Sequence, residues 1–257
     1  MTPTSPLDAG TVSCDVAGGI ATVTFAHPKG NSLPGALLRE IAATIDQCGG
    51  RDDVRVLVLR SAGTGPFCAG ASFDELRALR DERAGLDFFS GFAHVMLAMQ
   101  RSPQFVITRV QGKAVGGGVG VVAASDYAIA ASGASLRLSE LAVGIGPFVV
   151  GPVIEHRIGN GHFTALSVDH DWRDAAWGER VGLYAKVSDS VEALDRDVAA
   201  LATRLAGTNP AAMREMKRAA RAGTEHWHQL LYERAAISGA LILTEAAQQS
   251  LAALSRR

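Results

Sequence analysis

The fold is decided by a strand, a glycine-rich turn and a second strand that follow closely: Phe105-Val106-Ile107-Thr108-Arg109-Val110, then Val115-Gly116-Gly117-Gly118-Val119-Gly120, then Asp126-Tyr127-Ala128-Ile129-Ala130. The first and last runs are short and rich in apolar or β-branched residues, which is typical of buried strands. The glycine-dense run predicts a short helix from Gly117 to Ala124. Strands that alternate with helices in this way indicate an α/β fold.

The same alternation extends toward the N-terminus. Ile20 to Phe25 is short and β-branched and predicts a strand. Apolar residues from Leu37 to Cys48 recur at helical spacing and predict an amphipathic helix. Val54 to Leu59 is almost entirely apolar, as expected of a strand that is covered on both faces. The segment from Ser72 to about Arg101 is predicted to be mainly helical, and its glycines are candidate breaks, at Gly85 and Gly91.

The C-terminal part of the chain lacks strand patterns. No strand is expected after Tyr184-Ala185-Lys186-Val187. Asp189 and Glu192 have the spacing of a capping box, which would open a helix that runs to about Ala206. Asn209-Pro210 predicts the start of another helix, and a last helix is expected from about Glu225. We therefore divide the chain into an α/β core, residues 1–188, and a helical region, residues 189–257.

Composition narrows the class of protein. The chain has 257 residues, 47% of them hydrophobic and 20% charged, with a formal net charge of −1. This composition is typical of a globular enzyme, and the near-zero charge provides no attraction to nucleic acid or to anionic membranes. No apolar run reaches the roughly 18 residues of a membrane helix. The first six residues lack the features of a signal or transit peptide, so we expect a cytoplasmic protein.

Cysteine and histidine patterns give no metal or disulfide framework. Three scattered cysteines are too few for either, and we expect them to be reduced thiols. His226 and His228 are two residues apart and would point in different directions on a helix. The chain also lacks a Gly-x-Ser-x-Gly elbow and a P-loop, which argues against that type of serine hydrolase and against phosphoryl transfer. We expect no bound metal.

Two loops could supply backbone N–H groups to a ligand. The loop from Gly65 to Ser72 is built of small residues and precedes a helix, whose first N–H groups are unpaired. Gly116-Gly117-Gly118 could direct N–H groups and a helix dipole at a developing negative charge. The alternatives are a plain tight turn for the first loop and close packing of strand against helix for the second.

Glu140 is a candidate general base. It is a lone carboxylate among apolar neighbours in Leu138 to Phe148, and burial would raise its pKa toward neutrality. The alternative is a solvated or helix-capping glutamate. The aromatic residues Phe88, Phe89, Phe92, Phe148 and Trp172 are predicted to line a pocket or to belong to the core.

A dinucleotide-binding fingerprint is also present but is poorly placed. Gly118-x-Gly120-x-x-Ala123 fits the pattern, and Glu140 falls where a ribose partner would lie. The predicted helix has only about eight residues, whereas a parallel crossover needs a dozen or more. A nucleotide-dependent enzyme therefore remains the weakest alternative.

Taken in order, these stretches resemble the crotonase family, also called the enoyl-CoA hydratase/isomerase superfamily. The resemblance runs from about Ile20 to Val187. Its parts are Pro28 to Leu33, Val54 to Leu59, Phe67 to Leu76, Gly112 to Gly118, Ser125 to Ala130, Ser139 to Ile145, Ile158-Gly159 and Gly182-Leu183.

The resemblance implies a spiral of ββα units, a C-terminal helical region that builds trimers or dimers of trimers, and a coenzyme A thioester substrate. No other cofactor is implied, and neither nucleic acid nor membrane is an expected partner. The resemblance assigns the oxyanion hole to the N–H groups of Ala71 and Gly117, with Glu140 as the catalytic carboxylate. The implied substrate- and CoA-binding residues are Lys29, Asn31, Ser32, Leu33, Ala69, Gly70, Ser72, Phe73, Gly116, Gly120 and Phe148.

Departures from the family pattern bear on the reaction. Family hydratases use two glutamates; one is matched by Glu140, but the other position is occupied by Gly120. Ser72 stands where the family usually has Asp. The sequence is more similar to the family's Δ3,Δ2-enoyl-CoA isomerases, so we predict isomerisation with one glutamate. The alternatives are a hydratase whose second group comes from the helical region, or an inactive CoA-ester-binding member. The candidates for that second group are His94, Asp74, Glu75 and Glu82.

Overall fold

The computed structural model describes residues 10–254, with a six-stranded sheet at the centre. Across the sheet the strands are β1 (Thr11–Ala17), β2 (Ile20–Ala26), β3 (Val56–Ser61), β4 (Phe105–Val110), β6 (Tyr127–Ala131) and β9 (Lys186–Ser188). β1 pairs with β2 in antiparallel orientation, and the remaining neighbours are parallel. The parallel pairs are joined by helical crossovers, as an α/β fold requires.

A second, three-stranded sheet lies beside the first. It contains β5 (Ala114–Val115), β7 (Ser135–Arg137) and β8 (Arg173–Asp174), in that order. β5 is parallel to β7, and β7 is antiparallel to β8. One isolated bridge ties the loop at Cys68 to Ala114 of this sheet, and another joins Leu33 to Ala71, between two loops.

Ten α-helices lie within residues 10–254. They are α1 (Gly35–Gly49), α2 (Phe73–Ala78), α3 (Glu82–Arg101), α4 (Gly117–Ala124), α5 (Gly151–Val168), α6 (Ala175–Arg180), α7 (Val191–Ala206), α8 (Pro210–Ala220), α9 (Trp227–Leu241) and α10 (Glu245–Leu254). The main core lies between the large sheet and α1, α3, α4 and α5, and a smaller core lies between the sheet and α7. Helix α5 is kinked at Gly159, where φ is 77°.

The central α/β pattern is confirmed. The predicted strands correspond to β2, β3, β4 and β6, and α4 spans the predicted residues. β3 is covered on both faces, since Val56, Leu57, Val58 and Leu59 are all buried. The predicted cap Asn209 accepts a hydrogen bond from Ala211 N at 2.9 Å, and α8 begins with Pro210.

Three local predictions were wrong. The helical stretch after Ser72 breaks at Leu79 to Asp81, because Asp81 caps the next helix, and not at Gly85 or Gly91. Both glycines lie inside α3, where a neighbouring element leaves no room for a side chain: a Cβ on Gly85 would lie 2.7 Å from Gly239 Cα.

The other two corrections concern the C-terminal helices. Helix α7 is capped by Ser190, whose side chain accepts a hydrogen bond from Ala193 N at 3.2 Å, and not by the predicted Asp189. The last predicted helix is divided into α9 and α10 by a turn at Ile242 to Thr244. Strand β1 was not predicted; its alternation is weak because most of its side chains are exposed.

Helices α9 and α10 pack on the body of the chain. Their apolar side chains join the main core, which explains how these helices bury their apolar faces within one chain. The buried residues are Trp227, Leu231 and Ala235 of α9, Ile242 of the turn, and Ala247 and Leu251 of α10. The division at residue 188 and the trimer-building role of the helical region stay predictions.

The cysteines are free thiols. Cys14 Sγ and Cys48 Sγ lie 3.4 Å apart at the contact of β1 with α1, and burial raises the pKa of Cys48 to about 12. Burial likewise raises the pKa of Cys68 to about 12. At neutral pH these two groups are therefore protonated and unreactive.

Candidate active site

Three segments are held edge to edge at one end of the small sheet. Cys68 N donates to Lys113 O at 3.0 Å, and Val115 N donates to Cys68 O at 2.9 Å. Gly116 N donates to Arg137 O at 3.0 Å. These bonds place the loop before α2, the start of α4 and the segment after β7 side by side, so that residues distant in sequence share one cleft.

The cleft lies where these segments meet α3 and α9. Its empty space is about 560 Å³, which includes the mouth open to solvent. The lining is largely apolar, consisting of Ala69, Gly70, Ala71, Phe73, Leu76, Phe89, Phe92, Gly116, Gly117, Ser139, Glu140, Val143, Ile145, Gly146, Pro147, Phe148, Val149, Val150 and Ser238. Glu140 is the carboxylate among them.

The backbone N–H groups of Ala71 and Gly117, which both line the cleft, have no acceptor within residues 10–254. The bridge between Ala71 and Leu33 uses the residues on either side of Ala71: Leu33 N donates to Gly70 O, and Ser72 N donates to Leu33 O. The N–H of Ala71 itself is left unpaired. Gly117 is the first residue of α4, where N–H groups lack intrahelical partners and the helix dipole is positive. The lining of the cleft therefore contains unpaired backbone donors on two separate segments.

At each glycine of the triplet, a different neighbouring side chain leaves no room for a Cβ atom. A Cβ on Gly117 would lie 2.1 Å from the Phe92 ring, and one on Gly118 would lie 2.7 Å from Cys68 Cβ. Gly116 has φ of 53°, and a Cβ there would lie 2.9 Å from Glu140 Oε1. The glycines thus serve close packing and also keep the cleft open beside Glu140.

Glu140 is a half-buried residue whose carboxyl group has no charged partner within residues 10–254. Its Oε2 is buried and has no hydrogen-bond partner in the described part of the chain. Burial raises the pKa of Glu140 from 4.5 to about 7, an effect only partly offset by the backbone N–H groups of Glu140 and Ser139. Both protonation states are therefore populated near neutral pH, which suits a group that removes a proton and returns it.

Gly120 does not line the cleft. A Cβ at this position would lie 2.3 Å from Val150 Cγ1 and 3.2 Å from Met96 Sδ. These side chains fill the space through which a longer residue would have to pass. A carboxylate at position 120 is therefore incompatible with the packing of this chain, as well as absent from its sequence.

The predicted CoA-binding residues divide into two groups. Ala69, Gly70, Phe73, Gly116 and Phe148 line the cleft. Those that do not are Lys29, Asn31, Ser32, Leu33, Ser72 and Gly120.

Most of this second group has structural partners. Asn31 donates to Ala62 O and Pro66 O at 3.1 and 2.9 Å, so both of its amide hydrogens are used. Ser32 Oγ lies 3.0 Å from His27 Nδ1, and Leu33 is buried. Ser72, which stands where the family has Asp, caps α2 by accepting from Glu75 N at 3.4 Å. Their side chains thus position the loops around the cleft.

None of the four candidates for a second acid or base lines the cleft. Asp74 forms an ion pair with Lys29, and Glu75 Oε2 accepts from Gly35 N at 2.7 Å at the start of α1. His94 stacks edge-on against Tyr232 at 5.6 Å between ring centroids, and Glu82 lies in the first turn of α3.

Sequence reasoning missed one polar residue of the cleft, Ser238. It comes from α9, about a hundred residues beyond Glu140, and no local pattern marks it. Of the aromatic candidates, Phe89, Phe92 and Phe148 line the cleft, Phe88 belongs to the core, and Trp172 lies outside the cleft.

Within residues 10–254 there is no cluster of three or more His, Cys, Asp or Glu side chains that could hold a metal ion. No helix in this range is long and apolar enough to span a bilayer.

Comparison with known proteins decides the family. The model of the enoyl-CoA hydratase/isomerase family matches residues 15–253. The chain belongs to this family. The solved structure of an enoyl-CoA hydratase from Bacillus halodurans has a TM-score of 0.87 and 19% identity, covering 94% of this chain and 99% of that chain. This likeness confirms the predicted crotonase-like fold.

Similar family members carry different activities in their names. The chain is 31% identical over 154 residues to the (7aS)-7a-methyl-1,5-dioxo-2,3,5,6,7,7a-hexahydro-1H-indene-carboxyl-CoA hydrolase of Mycobacterium tuberculosis, covering 59% of this chain and 62% of the relative. It is 31% identical over 160 residues to the bacillaene synthase dehydratase PksH of Bacillus subtilis, covering 61% of each. The matches thus span about three fifths of these relatives. The family therefore includes proteins named for different reactions.

Proposed function

We propose that this family member isomerises an enoyl-CoA, moving the double bond between C2–C3 and C3–C4 with Glu140 as the sole proton carrier. The observation that carries the proposal is the environment of Glu140: it is the carboxylate of the cleft, it is buried without a cation, and the position of a second glutamate is packed with Val150 and Met96.

The proposed reaction proceeds through a dienolate. The Glu140 carboxylate removes a proton from C2 of a 3-enoyl thioester, and the electron pair of that C–H bond moves toward the thioester oxygen. The N–H groups of Ala71 and Gly117 donate hydrogen bonds to the resulting oxyanion. Neutral Glu140 then returns its proton to C4, which leaves the double bond between C2 and C3. No atom is gained or lost, so one acid–base group suffices.

Hydration makes a greater demand on the site. Water must be deprotonated, its oxygen must bond to one carbon, and a proton must be delivered to the other carbon. A second acid–base group assists these transfers. The side chains of His94, Asp74, Glu75 and Glu82 lie outside the cleft, and Gly120 is enclosed by apolar atoms. This arrangement supports proton transfer within the substrate over addition of water.

The test is a panel of 2-enoyl-, 3-enoyl- and 3-hydroxyacyl-CoAs incubated with the purified protein and analysed by chromatography and mass spectrometry. We expect interconversion of the 2-enoyl and 3-enoyl esters at unchanged mass. Conversion of the 2-enoyl ester into a product heavier by one water would contradict isomerisation and establish a hydratase. Saturable binding of every ester without conversion would establish an inactive binding member.

A further inference from the structure

A second depression adjoins the mouth of the cleft. It shares Ala69, Phe73, Ser139 and Val143 with the cleft and contains about 1330 Å³ of empty space, including open solvent. Its remaining lining residues are Pro66, Lys113, Val115, Arg137, Ala142, His170, Trp172, Ser250 and Ala253. The depression and the cleft therefore border each other along these four residues.

The depression holds uncompensated positive charge. Lys113 and Arg137 line it, whereas its lining contains no Asp or Glu. Neither cation forms an ion pair within residues 10–254. Arg137 Nε is moreover buried without a hydrogen-bond acceptor in that range. A buried, unpaired guanidinium donor is costly unless a ligand supplies the acceptor.

Trp172 holds the two cations together. Lys113 Nζ lies 4.9 Å and Arg137 Cζ 4.5 Å from the centroid of its ring. Cation–π contact fixes the two groups near each other in spite of their repulsion. Such an arrangement restricts long side chains before a ligand arrives, so less conformational entropy is lost when an anion binds.

Lys29 provides the contrast. Sequence resemblance assigned it to CoA binding, but its ammonium group is paired with the Asp74 carboxylate. Its charge is therefore already neutralised locally. Of the cations discussed around the cleft, Lys113 and Arg137 retain free charge.

We propose that Lys113 and Arg137 bind a phosphate group of the substrate's CoA carrier, with Trp172 as the residue that positions them. The inference rests on the proposed binding of a thioester in the cleft. A guanidinium fork and an ammonium group match the several oxygens and the charge of a phosphate. The phosphate can come from the 3′-phosphate or from the diphosphate of CoA, and these sources are separated by experiment.

The experiment is calorimetric titration of the full chain with three saturated thioesters: butanoyl-CoA, butanoyl-dephospho-CoA, which lacks the 3′-phosphate, and butanoyl-pantetheine, which lacks all phosphates. The variants are Lys113→Gln, Arg137→Gln and their combination. We expect the double variant to weaken butanoyl-CoA binding at least about tenfold and to leave butanoyl-pantetheine binding within about twofold of wild type, since that ligand contains no phosphate.

The dephospho ligand identifies the phosphate. If the double variant no longer differs from wild type with butanoyl-dephospho-CoA, the 3′-phosphate is the ligand; if the loss persists, the diphosphate is. Either result supports the proposal. Arg173→Gln is the matched control, because Arg173 adjoins Trp172 in sequence but is paired with Asp169 and does not line the depression.

Two results would overturn the proposal: unchanged butanoyl-CoA affinity in the double variant, or an equal loss for butanoyl-pantetheine, which would indicate a general disturbance of the cleft. Thermal melting of each variant verifies folding. If the double variant does not fold, the single Lys113→Gln variant is titrated instead, because Lys113 is exposed. If the wild type binds none of the three thioesters, the proposed function fails as well. If it binds them but hydrates 2-enoyl-CoA, only isomerisation fails.

Discussion

Glu140 and Asp126 are both largely withdrawn from water, but their surroundings are opposite. Asp126 has a side-chain exposure of 11% and lies 2.8 Å from Lys217 Nζ and 3.0 Å from an Arg221 amino group. It also accepts a hydrogen bond from Val106 N at 2.8 Å. Glu140 has no such cation, and one of its oxygens has no hydrogen-bond partner in the described residues.

The difference separates a structural carboxylate from a reactive one. The ion pairs of Asp126 join the start of β6 to the C-terminal end of α8 and keep a charge buried, so removing a partner should affect stability. The unpartnered carboxyl of Glu140 is poised to exchange a proton, so removing it should affect chemistry.

Glu140→Gln should reduce turnover more than any other single change. Gln cannot accept the substrate proton, and we expect kcat to fall about 10³-fold, equivalent to about 4 kcal/mol of barrier. The affinity for a saturated acyl-CoA should stay within about twofold, because shape and polarity are kept. Steady-state kinetics and calorimetry measure the two quantities.

The matched control for this change is Glu155→Gln. Glu155 lies on α5 outside the cleft and accepts a hydrogen bond from Asn160 at 2.9 Å. It should retain wild-type turnover. Full activity of the Glu140→Gln protein would refute the assignment of the base.

Lys217→Met should destabilise the fold without altering the chemistry. Lys217 Nζ donates to Met99 O at 2.8 Å and Gln104 O at 2.7 Å and pairs with Asp126. Its loss leaves these acceptors unpaired, and we expect the free energy of unfolding to fall by about 3 kcal/mol or more in urea titrations.

Lys186→Met serves as its control, because the ion pair of Lys186 with Asp197 is more exposed and water screens it, so its loss should change stability much less. The turnover of folded Lys217→Met enzyme should match wild type. A loss of turnover similar to that of Glu140→Gln would remove the distinction between the two carboxylates.

Glu140 should also make wild-type stability depend on pH. Its pKa is raised from 4.5 to about 7 in the folded chain, so folding favours the neutral form. The stability that this provides is present below pH 4.5 and is lost as the pH rises through about 7. Between pH 5 and pH 8 the unfolding free energy of wild type should therefore fall by about 2 kcal/mol relative to that of Glu140→Gln. An advantage independent of pH would mean that Glu140 is not desolvated.

The sequence predicts the parts of the molecule whose determinants are local. The apolar run that forms β3, the glycine-rich start of α4 and the Asn209-Pro210 cap carry their own structural signals. The resemblance to a family also placed Ala71, Gly117 and Glu140 in positions that the structure brings around one cleft.

What could not be predicted depends on contacts between distant segments. Two-residue strands such as β5 and β8 are too short to show periodicity, and Ser238 reaches the cleft only through the packing of α9 on α3. The association of Lys113 and Arg137 with Trp172 follows from the pairing of β7 with β8. The enclosure of Gly120 by Val150 likewise appears only in three dimensions.

The most direct test of the account is hydrogen exchange at the carbon next to the thioester. Butanoyl-CoA, which cannot be hydrated or isomerised, is incubated with the protein in deuterated water, and its mass is followed over time. We expect the wild type to incorporate deuterium at C2, at a rate that rises as the pH increases through about 7, and Glu140→Gln to be slower by about 10³-fold. No incorporation by the wild type, or equal incorporation by the variant, would contradict the claim that this one buried carboxylate moves the proton.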